Sequence, residues 1–392
     1  PYRRQRQMCI RDSPYLAFYG GGGSYDFGNN FGTGLGGTSE GVLANEDLTW
    51  EKARKLNVGL DFNTLNQRLT FSIDGFYEYR YDIITDMNGD GIMGYPDIVG
   101  KDAALQNLGE VSNRGFDLEL AWSDKIGKHF RYSIRPNITF SRNRLEYKAE
   151  VARQNPWRKE TGKRLYENFV YVFDHFVADQ AEADRLNAIS YQPWGQLIPG
   201  DVVYKDLDRN GVINDEDRTT MGHPRSPELM FGLPINLQYR DFDFSVLFQG
   251  AANTSIQLNG PAVFDFPQFE QDKIGRVKNM HLDRWTPETA STAKYPALHY
   301  GAHENNKNGN SSLFLYDASY IRLKNIEIGY NFPQKWLNKI RIQKARIYAQ
   351  GLNLFTWDKL ADVDIDPETK SGDGASWYPI QKVFNFGIDI TF

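Results

Sequence analysis

Apolar and polar side chains alternate with a period of two through most of this chain, the pattern that puts neighbouring residues on opposite faces of an extended strand. Leu69, Phe71, Ile73, Tyr77, Tyr79 and Tyr81 share one parity, and Thr70, Ser72, Asp74, Glu78, Arg80 and Asp82 take the other. Phe116, Leu118, Leu120 and Trp122 oppose Asp117 and Glu119, and a long run from Phe130 through Tyr132, Ile134 and Ile138 to Phe140 opposes Arg131, Ser133, Arg135, Asn137 and Thr139. Leu229 to Tyr239 and Phe242 to Phe248 form a pair joined at Arg240–Asp241, and Leu56 to Phe62 precedes them all. Near the end, Ile326, Ile328, Tyr330 and Phe332 alternate, while Ile321 and Leu323 fall on the opposite parity. A bulge near Lys324 reconciles the two. Arg341 to Trp357 is a further strand, a partial one is placed at Tyr15 to Tyr19, and Phe384, Phe386, Ile388, Ile390 and Phe392 define the last.

The connections alternate in length. Residues 20–50, 85–113, 146–228, 250–317 and 358–377 are long, whereas Thr64–Gln67, Ser123–Lys128, Arg240–Asp241 and Pro333–Ile340 are short. Outer-membrane barrels have short periplasmic turns and long external loops. The predicted fold is therefore all-β, an antiparallel up-and-down meander of about nine or ten transmembrane strands. Trp50 and Trp357 fall at one set of strand ends and Trp122 and Trp336 at the other, as aromatic girdles require. The row from Phe384 to Phe392, ending in an aromatic, resembles the signal by which outer-membrane barrels are recognised for insertion. Two segments inside the long connections read as helices, Asp179 to Ala188 with Asp179 as N-cap, and Phe269 to Leu282.

Composition fits a strand-built membrane protein. Aromatics make up 14% of the 392 residues and charged residues 24%, and mean hydropathy is −0.57. A lipid-facing skin around a wet lumen accommodates both. No apolar run is long enough for a membrane helix, which needs about 20 residues. The net charge of −5 and the lack of a long basic run argue against nucleic acid as a partner. The single cysteine, Cys9, excludes an internal disulfide. Residues 1–13 are basic and polar without an apolar stretch, so they are not a signal peptide. They are expected to be a cloning or sequencing artefact ahead of the native segment 14–392.

Two acidic loops have the spacing of calcium sites. Asp206, Asp208, Asn210 and Asp217 occupy positions 1, 3, 5 and 12 of one, with Gly211 at 6, the Val212 carbonyl at 7 and Asn214 at 9. Asp86, Asn88, Asp90, Ile92 and Asp97 repeat the scheme. Hard cations take such oxygen shells, and calcium in these external loops would be structural. The alternative is a pair of Asx turns without metal. Other templates lack support: Gly32 to Gly37 fits a dinucleotide fingerprint but does not join a strand to a helix, His299 and His303 lie in a turn-rich stretch, and no G-x-S-x-G occurs. The sequence predicts no enzyme and no organic cofactor. Trp157, Trp194, Trp285 and Trp377 lie in long loops, where they either stack on a substrate or pack the loops together.

Several stretches, in order, resemble SusC/RagA-like TonB-linked outer-membrane proteins: NEDLTWEK from Asn45, NVGLDF from Asn57, LGEVSNRGF from Leu108, PGD at Pro199–Asp201 leading into the acidic loop at Asp206–Asp217, DRWTPE from Asp283, ASYIRLKNI from Ala318, and GLNLFTW from Gly351. The resemblance implies the C-terminal part of a 22-stranded barrel whose missing N-terminal portion holds a plug and a TonB box. It implies import of oligosaccharides or peptides, energy from the TonB–ExbB–ExbD complex through that portion, a SusD-like surface lipoprotein closing the external mouth, and outer-membrane lipid around the wall. Two rival readings are a passive porin and a soluble calcium-stabilised carbohydrate-binding β-sandwich.

Overall fold

The structure, a computed structural model, describes residues 15–17, 19–26, 34–89, 92–94, 98, 100–260, 263–264, 277–299, 304–360, 362–369, 378 and 380–392. In chain order the strands begin with a hairpin of β1 (Tyr19–Tyr25) and β2 (Leu35–Glu40). There follow β3 (Lys52–Thr64), β4 (Leu69–Thr85), β5 (Gln106–Ile126), β6 (Phe130–Ile134) and β7 (Asn137–Tyr147). The next connection holds β8 (Asn168–Tyr171), β9 (Phe173–Phe176), α1 (Gln180–Ala188), β10 (Val202–Tyr204) and β11 (Arg218–Met221). The chain continues with β12 (Leu229–Tyr239), β13 (Phe242–Ala252), β14 (Ser255–Gln257), β15 (Leu315–Asp317), β16 (Tyr320–Asn331), α2 (Gln334–Leu337), β17 (Lys344–Asp358) and β18 (Val383–Thr391).

Ten of these strands form one antiparallel sheet in the order β18-β17-β16-β13-β12-β6-β5-β4-β3, with β7 continuing the β6 position between β5 and β12. The meander read from the alternation is thus the observed architecture. Its register aligns the apolar parities from strand to strand. Leu60 lies opposite Ile73, Ile73 opposite Leu118, Leu118 opposite Ile138, and Ile138 opposite Phe231. Across the other half, Leu237, Phe244, Ile328, Ala349 and Phe386 form one row. The opposite face carries Asp61, Ser72, Glu119 and Asn137 in line. The sheet therefore has one oily face and one wet one.

No second layer covers the oily face among the described residues. Val58 is 67% exposed and Phe386 82%. Of the twelve largest fully buried side chains among the described residues, Arg322 alone belongs to the large sheet. The packed interior lies instead in the long connections. Ile256, Leu258, Phe314 and Leu360 form one core there, and Tyr171, Val202, Tyr204 and Ile213 another. A soluble sandwich buries its apolar rows between two sheets, so this arrangement contradicts the sandwich reading and fits a wall with hydrocarbon outside.

Several boundaries differ from expectation. The run from Phe130 to Phe140 is broken at Arg135–Pro136, level with Pro234 of β12, whose carbonyl accepts the Arg135 N–H at 3.0 Å. Two prolines at one height remove two ladder donors. The register shift in β16 skips Lys324, as the parity change required. Tyr15 to Ala17 is not strand, and pairing begins only at Tyr19, with β1 and β2 lying largely inside the connection expected over 20–50. The connection expected over 85–113 ends earlier, because β5 starts at Gln106. The connections over 146–228 and 250–317 are folded bodies, with β8 pairing β11, β9 pairing β10 and β14 pairing β15. The helix with Asp179 as cap is present, its carboxylate accepting the Glu182 N–H at 2.9 Å. Of Phe269 to Leu282, residues 269–276 lie outside the described residues, and the remainder enters a 3-10 turn at Asn279–Asp283. Residues 1–13 also lie outside them.

Candidate functional site

On the polar face, near the short-turn edge, Arg346 of β17 gathers the acidic groups of its neighbours. It donates to Asp243, and to Glu327 at 2.6 Å, while Asp389 stands 3.8 Å away. Gly329 makes this reach feasible, since a Cβ there would collide with both Arg346 and Asp243. A cleft of about 1110 Å³ opens beside it, lined by Arg68, Asp124, Arg131, Asn236 and Ser245. An ion-paired polar face is what the inner side of a membrane barrel presents.

At the long-loop edge, ion pairs tie the connections to the strand ends. Glu228, almost wholly buried, accepts both Arg142 bonds at 2.8 and 2.7 Å and a third from Arg164 at 3.2 Å. Burial pushes the Glu228 carboxyl up, but the two guanidiniums outweigh it and hold the group below the usual glutamate range. Arg322, 1% exposed, reaches Asp366 at 2.6 Å and Glu368 at 3.0 Å. Further out, the two folded connections are stitched together. The Val202 N–H donates to Asn306 Oδ1 at 2.9 Å, Gln192 Nε2 to Asn305 Oδ1 at 3.2 Å, and Asn306 Nδ2 to the fully buried Asp201 at 3.0 Å. Apart from Asp201 and Arg322, which fall within the PGD and ASYIRLKNI stretches, none of these residues stands out in the sequence. Their partners lie up to about a hundred residues apart, and no local period reports such a contact.

The acidic loop at 206–217 folds tightly. Carboxylate oxygens of Asp206, Asp208 and Asp217 lie within 4.8 Å of one another. Asp206 accepts the N–H groups of Asn210 and Gly211, and Arg209 and Gly211 adopt positive φ to make the turn. Asp217 is fully buried. Burial pushes its carboxyl above the ordinary aspartate value, against backbone N–H bonds from Asn214, Leu207 and Asp208. The other side chains of the pattern also accept bonds within the loop: Asn214 Oδ1 caps the following turn through the Glu216 N–H at 2.8 Å, and Asn210 Oδ1 accepts Val212 N–H at 2.9 Å. Tyr171 donates to Asp215 of that turn at 3.0 Å, and burial with this bond pushes its hydroxyl up to about 12.

The loop beginning at Asp86 differs. Asp90 and Asp97 lie outside the described residues. Asp86 and Asn88 form an Asx turn, Asn88 exchanges two side-chain bonds with Ala103, and the Ile92 carbonyl is taken by Gly94 N–H. These donors are spent on the chain itself. The three loop tryptophans among the described residues are likewise held by protein. Trp285 is 8% exposed against Gly200, Trp194 packs edge-on to Tyr171 and Tyr204, and Trp157 Nε1 donates to the Glu216 carbonyl at 2.7 Å. For Trp285 the burial fits the loop-packing option. Trp377 and His303 lie outside the described residues, and His299 pairs with Asp201 at 2.9 Å. Phe384, Phe386, Ile388 and Ile390 project from the open edge strand β18, and Phe392 follows its end.

An antiparallel wall with one lipid face, one polar face and folded loops at a single edge defines the class, an outer-membrane β-barrel. Residues 13–354 match the family described as TonB dependent receptor-like, beta-barrel, and the chain belongs to it. TonB-dependent receptor SusC of Bacteroides thetaiotaomicron is 28% identical over 373 residues, covering 94% of this chain and 34% of its own length. TonB-dependent receptor P3 of Formosa agariphila is 25% identical over 374 residues, covering 89% of this chain and 35% of its own. The chain thus spans about a third of the length of the curated relatives it matches. The solved RagAB peptide transporter superposes with a TM-score of 0.68 at 20% identity, over 97% of this chain and 39% of that one. The SusC/RagA-like resemblance and the outer-membrane setting are both borne out.

Proposed function

We propose that the chain is the C-terminal part of the wall and external mouth of a SusC-like, TonB-dependent importer of oligosaccharides or peptides. It works by transport rather than catalysis. The observation that carries this reading is the two-faced sheet, whose lipid rows and ion-paired inner face belong to a pore wall while its packed core lies in the loops. SusC among the relatives and a peptide transporter among the structural neighbours support the importer over a passive porin. On this reading a SusD-like lipoprotein closes over the loop bodies, and the TonB–ExbB–ExbD complex acts through an N-terminal portion. The test is uptake of labelled oligosaccharide and peptide pools by cells expressing the intact receptor. Uptake should stop when a protonophore collapses the energy supply, whereas unchanged uptake would favour the porin.

The 206–217 loop is proposed as a structural calcium site held by Asp206, Asp208 and Asp217. Oxygens within 4.8 Å of one another suit one cation, because calcium–oxygen distances of about 2.3–2.6 Å set that span. Chelation should raise the rate of proteolysis between residues 205 and 218 several-fold. Added calcium should reverse it in the native receptor but not in Asp208→Asn, and equal rates with and without calcium would remove the metal from the account.

A further inference from the structure

We infer that the long-loop margin of the lipid face carries a binding site for the phosphate groups of outer-leaflet lipid, built from Arg54, Arg114 and Arg144. The register puts these three on one patch of the oily parity. Arg54 lies opposite Tyr79, Tyr79 opposite Ser112, and Ser112 opposite Arg144, while the next row runs Leu56, Tyr77, Arg114 and Arg142. One step further down, Val58, Gly75, Phe116 and Phe140 begin the hydrocarbon rows. Height agrees with this. Arg114 and Ser112 stand about 8 and 10 residues from Trp122 along β5. At about 3.4 Å per residue and a tilt of about 40°, that is roughly 20–26 Å above the inner girdle, where an apolar band about 25 Å tall ends.

The arginines are largely uncommitted. The Arg114 side chain makes no hydrogen bond or ion pair among the described residues, Arg54 lies over the Tyr81 ring, and Arg144 approaches Glu146 only to 3.7 Å. The acidic groups on the patch have other donors: Tyr79 donates to Glu110 and Ser112 to Glu146, while Glu228 holds Arg142 and Arg164. A cleft of about 610 Å³ opens here, lined by Tyr77, Arg114, Arg144 and Lys163 and also by Glu146 and Glu167, which accept from Ser112 and Arg164. Guanidinium forks match phosphate oxygens in geometry and charge. Because Phe116 and Phe140 follow Arg114 and Arg142 one step down the same face, an occupant with acyl chains against the phenylalanines and phosphate at the arginines satisfies both halves, which a soluble anion does not.

The test uses the intact receptor in detergent, with native mass spectrometry reading retained lipid. Phosphorylated lipid A should be retained on the order of tenfold or more over its dephosphorylated form. The triple variant Arg54→Gln, Arg114→Gln, Arg144→Gln should lose that preference, and the corresponding triple lysine variant should keep part of it. Equal retention of the two lipids on the unmodified receptor overturns the proposal, and that comparison stands even where the glutamine variant does not insert. Full displacement of the lipid by millimolar inorganic phosphate also overturns it, by making the site one for soluble anions.

Discussion

Glu228 illustrates how single residues hold the loops to the wall. Its carboxylate joins Arg142 of β7 to Arg164 of the folded connection, and its ionised form is favoured in the native state. A group whose folded value is depressed contributes stability above its unfolded value, near 4.3, and loses it as pH falls through the lower folded value. Lowering pH from 6 to 3 should therefore increase protease cutting of residues 148–228 with a step below about 4.3. Glu228→Gln should remove the step and weaken docking of that connection by about 1–3 kcal/mol, as urea titration would show. A step of the same size in the variant would assign it elsewhere. At this scale the sequence was only partly readable. Spacing exposed the clustering of Asp206, Asp208 and Asp217, because a tight acidic loop is local. It could not expose Arg322 with Asp366 and Glu368, whose meeting depends on how a distant loop folds back.

Among the strands, parity is the quantity that matters, since moving a side chain by one position transfers it between lipid and water. Ile73→Arg should destabilise the inserted barrel by about 2–4 kcal/mol, whereas Ser72→Arg, one residue away on the polar face, should cost much less. Reversible unfolding in lipid vesicles measures both, and equal costs would refute the two-faced sheet. Parity also explains which strand features were legible. The Lys324 bulge was, because an extra residue reverses the alternation. The break at Pro136 was not, because a proline removes a ladder donor while leaving side-chain parity intact from Ile134 to Ile138. The first half of β5 was missed for another reason: from Gln106 to Asn113 the strand rises toward the membrane margin, where polar residues occupy both faces and the alternation fades.

For the whole molecule, the distribution of burial separates a membrane wall from a soluble fold. Apolar residues are packed in the loop bodies, where water is the solvent, and left open on the sheet, where hydrocarbon takes the place of a second layer. Both edges of the sheet, β3 and β18, are unpaired among the described residues, as a section of a closed barrel would leave them. The most direct measurement is spin-label accessibility along β13 of the intact receptor in bilayers, one label at a time from Phe242 to Leu247. Labels at 242, 244 and 246 should be relaxed by oxygen dissolved in lipid, and those at 243, 245 and 247 by a water-soluble nickel chelate. A flat profile, or protection of the even positions from both reagents, would mean that protein rather than lipid covers that face.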